Sequence, residues 1–363
     1  MKKIYAVASL LLSVTFGFSQ AGAPATPYYN GFNWTQTGNT LKTALATKII
    51  STHTNLLSYG EIWNASMVTD RDPANANNVL LIYGWENGTD ADVTNDLSRN
   101  RNNNGGNNGQ WNREHVYAKA LGTPALIDDQ PSDAGEDAHH LRASDVQRNN
   151  TRGSLRFANG SGNSGSVSGG WYPGDQWKGD VARMMMYMYL RYGNQCLPKN
   201  VGAAGSATVA TDTNMIQLFL QWNAEDPVSQ YEDARNTYHG GTAFYAQRNR
   251  NPFIDNPYLA TVIWGGPAAE NRWPNIFLSA QDFEALADVS VYPNTSNDHK
   301  INIYSKTELD AIQIVNINGQ LMMEVQKPVS TNYSYTLEQL PQGFYFVKLV
   351  AGNQSTTKKV IVN

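Results

Sequence analysis

The sequence of 363 residues contains only one cysteine, Cys196, so no internal disulfide can stabilise the fold. Its charge is nearly balanced, with 27 basic and 31 acidic residues and a net charge of −4. This balance excludes a uniformly basic nucleic-acid binder, so any contact with a polyanion must come from a local patch. The polar composition also excludes a multispan membrane protein. We interpret Cys196 as a packing residue rather than a catalytic thiol, because it follows an apparent helix end at Tyr192.

The N-terminus has the pattern of a secretory signal peptide. Two lysines precede a mostly apolar stretch over Ile4–Phe18, and three small residues follow from Ala21. The apolar stretch is too short for a convincing membrane span, and a buried N-terminal helix is the alternative. We therefore predict that residues 1–20 form a signal peptide, so that the mature protein is secreted or reaches the cell surface.

The next region, residues 21–282, contains nearly all the tryptophans and histidines and is predicted to form one domain. Apolar residues at helical spacing predict helices over residues 41–57, 179–192 and 213–222. The apolar run 79–83 predicts a buried strand. The Asn/Gly tract 101–109 and the Gly/Ser tract 158–170 predict loops. These two tracts bracket residues 111–157, where the polar side chains concentrate.

From about Val289 the hydrophobic pattern changes to a period of two. The alternating stretches that predict short strands are residues 299–304, 311–315, 344–349 and 359–362. Asn318-Gly319 and Gln342-Gly343 supply turn residues between them. We therefore predict that residues 289–363 form a small antiparallel β-sandwich, which places the whole chain in the α+β class.

Three side chains in segment 111–157 suit phosphodiester hydrolysis. A neutral imidazole, here His115, can take the proton of an attacking water at physiological pH. A hard cation held by oxygen ligands can neutralise the charge that develops on the phosphate. Glu114 offers a carboxylate oxygen and Asn149 an amide oxygen, a donor set that suits one metal ion better than two. A hard divalent cation such as Mg²⁺, Mn²⁺ or Ca²⁺ would fit these donors.

Local geometry restricts how these residues can meet. Neighbours on a regular strand point to opposite faces, so Glu114 and His115 can share a site only at a strand end or a bulge. Asn149 is predicted to lie on a helix, because residues 141–151 contain neither proline nor glycine. A hairpin followed by a loop and this helix would bring Asn149 back to the pair. The hypothesis requires the three side chains to converge on a shared cation.

Other polar residues surround this set. Arginines outnumber acids over residues 140–157, which supplies the local basic patch that the overall charge lacks. Arg152 is the expected catalytic phosphate contact, because it lies three positions after Asn149 on the predicted helix. Candidates for supporting or phosphate-binding roles are Arg113, Asp137, His139, His140 and Arg142. We expect one of the two adjacent histidines, with Asp137, to brace the site or cap the helix rather than to ligate the ion.

Together these runs resemble the endonuclease I family, whose members carry the ββα-metal (His-Me finger) active site. The resemblance extends through Gly179–Arg183, Trp222–Val228 and Arg250–Asp255, and it covers most of residues 40–265. It implies a ββα-metal nuclease domain in which His115 is the general base and Glu114 and Asn149 hold a magnesium-like ion. It also implies cleavage of DNA, and often RNA, without sequence preference, leaving 5′-phosphates. Family members commonly have proline where Ala118 stands, so the path after the histidine is expected to differ. The run from Arg250 is expected to be a structural turn.

The C-terminal region resembles the sorting domain of bacterial type IX secretion substrates. The resemblance is carried by Val291–Asn294, Asn318-Gly319, Leu340–Tyr345 and the lysine-containing last strand. The usual motif has a second proline where Thr295 stands. A sorting domain implies recognition by the type IX secretion machinery, whereas a plain accessory or carbohydrate-binding sandwich is the alternative.

The leading interpretation is a secreted nonspecific endonuclease, and no feature of the sequence indicates an oligomer, so a monomer is expected. One alternative is a zinc-dependent phosphodiesterase with His115, His139 and His140 as ligands. It leaves Asn149 without a role, and the sequence contains no HExxH spacing. Another alternative is a non-catalytic extracellular protein whose aromatic residues bind glycans.

Overall fold

A computed structural model describes residues 22–88, 90–129, 133–277, 286, 289–351 and 354–363. The predicted signal peptide lies outside these residues. The chain divides into two compact units, with the boundary between Ile276 and Phe277. No helix in the described ranges is long and apolar enough to cross a membrane.

The N-terminal unit is rich in helices. Their bounds are α1 Gly38–Thr52, α2 Ile62–Thr69, α3 Val146–Arg152, α4 Lys178–Tyr192, α5 Pro198–Val201, α6 Gln217–Glu225, α7 Gln230–His239, α8 Pro252–Asp255 and α9 Tyr258–Trp264. Helix α4 is buried from Gly179 to Leu190, so its methionine run is core. Helix α1 instead buries a single stripe at Leu41, Leu45 and Ile49, as the spacing of four predicts.

Short antiparallel pairs complete this unit. Its strands are β1 Arg71–Asp72, β2 Asn75–Leu80, β3 Ser98–Asn100, β4 Trp111–His115, β5 Leu141–Asp145, β6 Gly165–Val167, β7 Gly170–Tyr172, β8 Thr208–Val209 and β9 Asp212–Ile216. The first three form one sheet, and the others pair as β4-β5, β6-β7 and β8-β9. The mixture of helices and small antiparallel sheets confirms the α+β class.

Several element predictions for this unit differ from the structure. The helix over 179–192 and the loop over 101–109 are confirmed. The predicted helix over 41–57 ends at Thr52. Residues 213–216 belong to β9, because they pair with β8 before helix α6 begins. The predicted strand over 79–83 ends at Leu80, and the chain turns at Tyr83. The Gly/Ser tract is not wholly a loop, because it contains β6 and the start of β7.

The C-terminal unit is built only of strands among its described residues. They are β10 Ser290–Tyr292, β11 Ile301–Tyr304, β12 Ala311–Asn316, β13 Leu321–Gln326, β14 Ser334–Leu337, β15 Gly343–Ala351 and β16 Gln354–Val362. They form two antiparallel sheets, β10-β11-β14 and β13-β12-β15-β16, over one apolar core that includes Ile303, Ile314 and Val347. The predicted sandwich is therefore confirmed. Gly319 has a φ of 79° in the turn between β12 and β13, a conformation that favours glycine.

Candidate active site

Strands β4 and β5 and helix α3 form a compact strand-strand-helix motif. The two strands pair in regular register, from Trp111 with Asp145 to His115 with Leu141. Asp145 ends β5 and caps α3, since its carboxylate accepts hydrogen bonds from the backbone N–H groups of Gln147 and Arg148. Helix α3 therefore begins directly after the strand, five residues later than the helix expected from Leu141. The predicted intervening loop is absent between these two elements.

Helix α3 covers the face of β4 that carries Asn112 and Glu114. The Nδ2 atom of Asn149 donates a hydrogen bond to Oδ1 of Asn112 at 2.8 Å. One turn further along, Nη1 of Arg152 lies 3.1 Å from Oε1 of Glu114. Alternation along the strand places Asn112 and Glu114 on one face. The structure thus brings Glu114, Asn149 and Arg152 to the same side of β4.

The Glu114 carboxylate is buried but has one oxygen left for a ligand. Both of its polar contacts within the described chain fall on Oε1, which accepts a hydrogen bond from the Tyr83 hydroxyl at 3.0 Å and pairs with Arg152. Burial raises the pKa of Glu114 to about 7, although Arg152 and Tyr83 oppose the shift. A cation at Oε2 would favour the charged carboxylate. Tyr83 has a φ of 75°, a strained conformation for a bulky residue and one that is typical of functional sites.

His115 is the last residue of β4, and its ring lies on the opposite face from Glu114. The ring stacks on Tyr59, with centroids 5.3 Å apart, and Nε2 lies 2.8 Å from the carbonyl oxygen of Gly135. A carbonyl only accepts, so Nε2 carries the hydrogen and Nδ1 is left with a free lone pair. Burial, with a smaller effect of His140, lowers the pKa of His115 to about 3, so the ring is neutral at physiological pH.

Of the two arrangements predicted for Glu114 and His115, the structure has the strand end and not the bulge. No hydrogen bond in the described chain joins the His115 ring to Glu114 or Asn149. Arg152 links Glu114 to the backbone of His115. Its guanidinium pairs with the Glu114 carboxylate and also donates to the carbonyl oxygens of His115 at 2.9 Å and Val116 at 2.8 Å. Arg152 ties the carboxylate to the backbone on which the histidine stands.

The segment that orients His115 is itself firmly held. His140 Nε2 donates to the carbonyl oxygen of Ala134 at 2.7 Å. The next carbonyl along the chain, that of Gly135, accepts the hydrogen bond from His115. A Cβ on Gly135 would collide with the carbonyl oxygen of Ile127, so only glycine fits there. This contact of His140 suits the bracing role that we predicted for one of the two histidines.

Asp137 and His139 lie deeper in the core. The Asp137 carboxylate accepts hydrogen bonds from the hydroxyls of Tyr187 at 2.8 Å and Tyr192 at 2.9 Å, and from the backbone N–H of His139 at 2.8 Å. His139 Nε2 lies 3.2 Å from Oδ1 of Asn249. Interactions with the His53, His139 and His140 rings and the hydrogen bond from the backbone N–H of His139 outweigh burial and hold the pKa of Asp137 well below its usual range. This network suits support of the chain before β5 rather than contact with substrate.

The buried histidines predict a loss of stability in acid. Burial lowers the pKa of His139 and of His140 to about 4, from an ordinary value of 6.5. Below pH 6.5 the unfolded chain binds protons at these rings and the folded chain does not, so the free energy of unfolding falls until about pH 4. The limiting slope is about 1.4 kcal/mol per pH unit for each ring. Urea unfolding followed by tryptophan fluorescence should show a midpoint that drops between pH 6.5 and 4 and is flat above pH 7.

A matched variant separates these rings from the histidine of the C-terminal unit. His299 lies in the C-terminal unit, so His299→Gln should leave the pH profile of the N-terminal unit unchanged. A midpoint that is constant from pH 7 to 4.5 in the wild-type chain would contradict the assignment of neutral buried rings.

The arginines near the site do not form the open basic patch that their number predicts, because only Arg156 is exposed among Arg113, Arg142, Arg148, Arg152 and Arg156. Arg142 is buried between Asp70 and Asp180, with nitrogen–oxygen distances of 3.2 Å to each. This position suits support of β5 and not a phosphate contact. The guanidinium of Arg152 is likewise buried and paired with Glu114, an arrangement that suits positioning of this carboxylate better than the expected phosphate contact. Arg113 stacks its guanidinium over the ring of Tyr59, at 3.5 Å from the centroid.

The donor set fits a hard cation better than zinc. Glu114 Oε2 and the Asn149 amide oxygen are oxygen donors, and Asn149 uses its nitrogen rather than its oxygen to hold Asn112. Among the described residues, no group of three His, Cys, Asp or Glu side chains is arranged to hold a metal. His115, His139 and His140 are each engaged with a different backbone or amide partner, so the zinc alternative gains no support.

Sequence reasoning missed four residues that shape the site. Tyr83 holds Glu114, and Asn112 holds Asn149. Tyr59 and Gly135 orient the ring of His115. Asn112 could have been found, since it precedes Glu114 by two residues and so shares its strand face. The other three come from distant parts of the chain, and nothing in their local sequence indicates the contact.

Comparison with known proteins identifies the class as a secreted nuclease. A family model described as Endonuclease I matches residues 37–258, and a second model, described as a secretion system C-terminal sorting domain, matches residues 290–363. The chain therefore belongs to the endonuclease I family and carries a sorting domain of the type IX kind at its C-terminus. Secretion or display at the cell surface follows from the second match.

Two curated relatives agree with this assignment. An extracellular ribonuclease of Bacillus subtilis (strain 168) is 42% identical over 261 residues, which cover 67% of this chain and 82% of the relative. An extracellular ribonuclease of Bacillus amyloliquefaciens is 42% identical over 242 residues, which cover 63% of this chain and 75% of the relative. The similarity thus extends over most of the relatives and supports an extracellular nuclease.

Proposed function

We propose that this protein is a nonspecific endonuclease that hydrolyses phosphodiester bonds with one divalent metal ion and His115 as general base. The observation that carries the proposal is the β4-β5-α3 motif, which presents Glu114 Oε2 and the Asn149 amide on one face and a neutral histidine at the strand end. In the proposed organisation residues 1–20 are a signal peptide, residues 21–282 the catalytic domain and residues 289–363 the sorting domain. We expect the mature chain to be a monomer.

Glu114 and Asn149 would hold the ion, and Mg²⁺ is proposed because both donors are hard oxygen atoms. When bound, the ion supplies Lewis-acid stabilisation of charge on the phosphate and on the leaving oxygen. A single anionic ligand leaves most of the positive charge of the ion unneutralised. Tyr83 and Arg152 fix Oε1 of Glu114, which keeps Oε2 in one orientation.

His115 would take the proton from the attacking water at Nδ1. The Gly135 carbonyl holds the hydrogen on Nε2, so the ring has the tautomer that a base at Nδ1 needs. The attack by water on phosphorus would break the bond to the 3′-oxygen and leave a 5′-phosphate on the product. Arg152 would act as a positioning residue, because it holds both the Glu114 carboxylate and the His115 carbonyl.

The proposed substrate is DNA and RNA without sequence preference. The endonuclease I family supports cleavage of DNA, and the name ribonuclease on both curated relatives supports cleavage of RNA. A glycan-binding role gains no support, because all nine tryptophans are buried or half-buried and none forms an exposed platform.

The test is incubation of plasmid DNA and of a structured RNA with the purified mature protein. Both substrates should be degraded with Mg²⁺ and persist with EDTA, and added Mg²⁺ should restore activity where Zn²⁺ does not. End-group analysis should find 5′-phosphates. Degradation that continues in EDTA, or products that carry 3′-phosphates, would overturn the proposed mechanism.

A further inference from the structure

A cavity of about 220 Å³ lies against α3, the helix that carries Asn149. The α3 residues that line it are Gln147, Arg148 and Thr151, and those from other elements include Thr94, Ser166 and Trp171. Within the described chain the lining contains no carboxylate. The Thr94 and Thr151 hydroxyls donate to Asp92 and to the carbonyl oxygen of Gln147. The Arg148 guanidinium, the Gln147 amide and the Ser166 hydroxyl are the lining groups that can donate to a ligand.

Arg148 is the positive group of this cavity and is not neutralised by a partner. In the described part of the chain it forms no ion pair, unlike buried Arg142 and Arg152. Its guanidinium stacks over Trp85, at 4.3 Å from the ring, and Nε donates to the carbonyl oxygen of Thr94 at 2.8 Å. The acids that act on it at longer range, Asp92 and Asp145, are engaged by Thr94 and Arg99 respectively.

The buried indole of Trp171 is another feature of the cavity lining. Its Nε1–H has no hydrogen-bond acceptor among the described residues, although Trp171 is only 1% exposed. A buried donor without an acceptor is costly, so this wall of the cavity is incompletely satisfied by the described chain alone.

The cavity is connected to Glu114 through Tyr83. Arg148 Nη1 donates to Oγ of Ser164 at 3.1 Å, and that hydroxyl donates to the carbonyl oxygen of Tyr83 at 2.6 Å. Trp171 packs edge-on against the Tyr83 ring, with centroids 5.5 Å apart. Tyr83 in turn holds Oε1 of Glu114. A group bound in the cavity would therefore lie next to the residues that position the metal ligand.

We propose that this cavity, here called the α3 cavity, binds a backbone phosphate of the nucleic acid that flanks the phosphate being cut. The proposal rests on the proposed nuclease function. It assigns substrate binding to Arg148, the half-buried arginine of α3, instead of to Arg152. It would also give a chain of net negative charge one local positive contact with a polyanion beside the proposed site.

The main test adds a negative charge to the cavity without disturbing the core. Ser166 is exposed at the rim, so Ser166→Glu should fold normally and repel a phosphate there. The Kd for a short fluorescent single-stranded oligonucleotide, measured by anisotropy in EDTA at low salt, should rise by about tenfold. Ser168→Glu is the matched control, because this exposed serine lies two residues away and does not line the cavity; its Kd should match that of the wild type.

A second variant and a small substrate complete the test. Arg148→Gln should lower the slope of log Kd against log salt by about one, as expected for the loss of one phosphate contact. Relative to the wild type, kcat/KM of Ser166→Glu should fall about tenfold more with plasmid DNA than with bis(p-nitrophenyl) phosphate, which has no flanking phosphate.

Failures of the two proposals are distinguishable. If Ser166→Glu and Ser168→Glu bind the oligonucleotide equally well, the α3 cavity is not a phosphate subsite. A wild-type protein that binds the oligonucleotide and cuts neither substrate with Mg²⁺ would overturn the nuclease mechanism and leave the subsite standing.

Discussion

Replacing His115 by alanine is expected to lower kcat by at least about 10², with the Kd for DNA and the melting temperature little changed. The reason is that Nδ1 of this ring is the proposed proton acceptor, and alanine provides none. The loss of the Tyr59 stack and of the Gly135 hydrogen bond should cost only about 1 kcal/mol of stability. Single-turnover cleavage of plasmid DNA at saturating Mg²⁺ measures the effect without interference from product release.

A glutamine at position 115 provides the matched control. Its side-chain amide can donate to the Gly135 carbonyl as Nε2 does, but it cannot accept a proton at neutral pH. His115→Gln should therefore keep the orientation of the segment and be as inactive as His115→Ala. Wild-type turnover in the glutamine variant would show that His115 has only a structural role.

Several parts of the fold follow from local pattern alone. The spacing of Leu41, Leu45 and Ile49 predicts the buried stripe of α1, and period-two alternation predicts the C-terminal sandwich. Errors arise where tertiary pairing overrides local propensity. Residues 213–216 have a helical pattern but belong to β9, which pairs with β8. Residues 141–145 pair with β4 and are buried throughout.

The sequence predicts which residue types belong to the candidate site, but it does not predict how their side chains are arranged in space. Glu114, His115 and Asn149 are recognisable because a carboxylate, an imidazole and an amide suit the chemistry. Whether an arginine contacts phosphate depends on burial, which the sequence of α3 does not reveal. Arg152 faces β4 and pairs with Glu114, whereas Arg148 faces the α3 cavity, although only four residues separate them.

The second large effect is expected for Glu114→Gln, which should raise the Mg²⁺ concentration required for half-maximal activity by at least about tenfold. Glutamine keeps the shape of the side chain and removes its negative charge, so the ion would lose its only anionic ligand in the proposed site. Removal of that charge also leaves Arg152 buried without its carboxylate, which destabilises the fold whether or not Glu114 binds metal.

The two effects of Glu114→Gln can be separated by thermal unfolding with and without Mg²⁺. An ion that binds only the folded state raises the melting temperature of the wild-type chain, and this rise should disappear in Glu114→Gln. Arg152→Met is the control, because it breaks the same ion pair and leaves the carboxylate in place. It should melt at a lower temperature than the wild type and still be stabilised by Mg²⁺. The Arg152→Met variant keeps the Glu114 carboxylate, and the Glu114→Gln variant lacks it. If Mg²⁺ raises the melting temperature of both variants equally, Glu114 is excluded as a ligand.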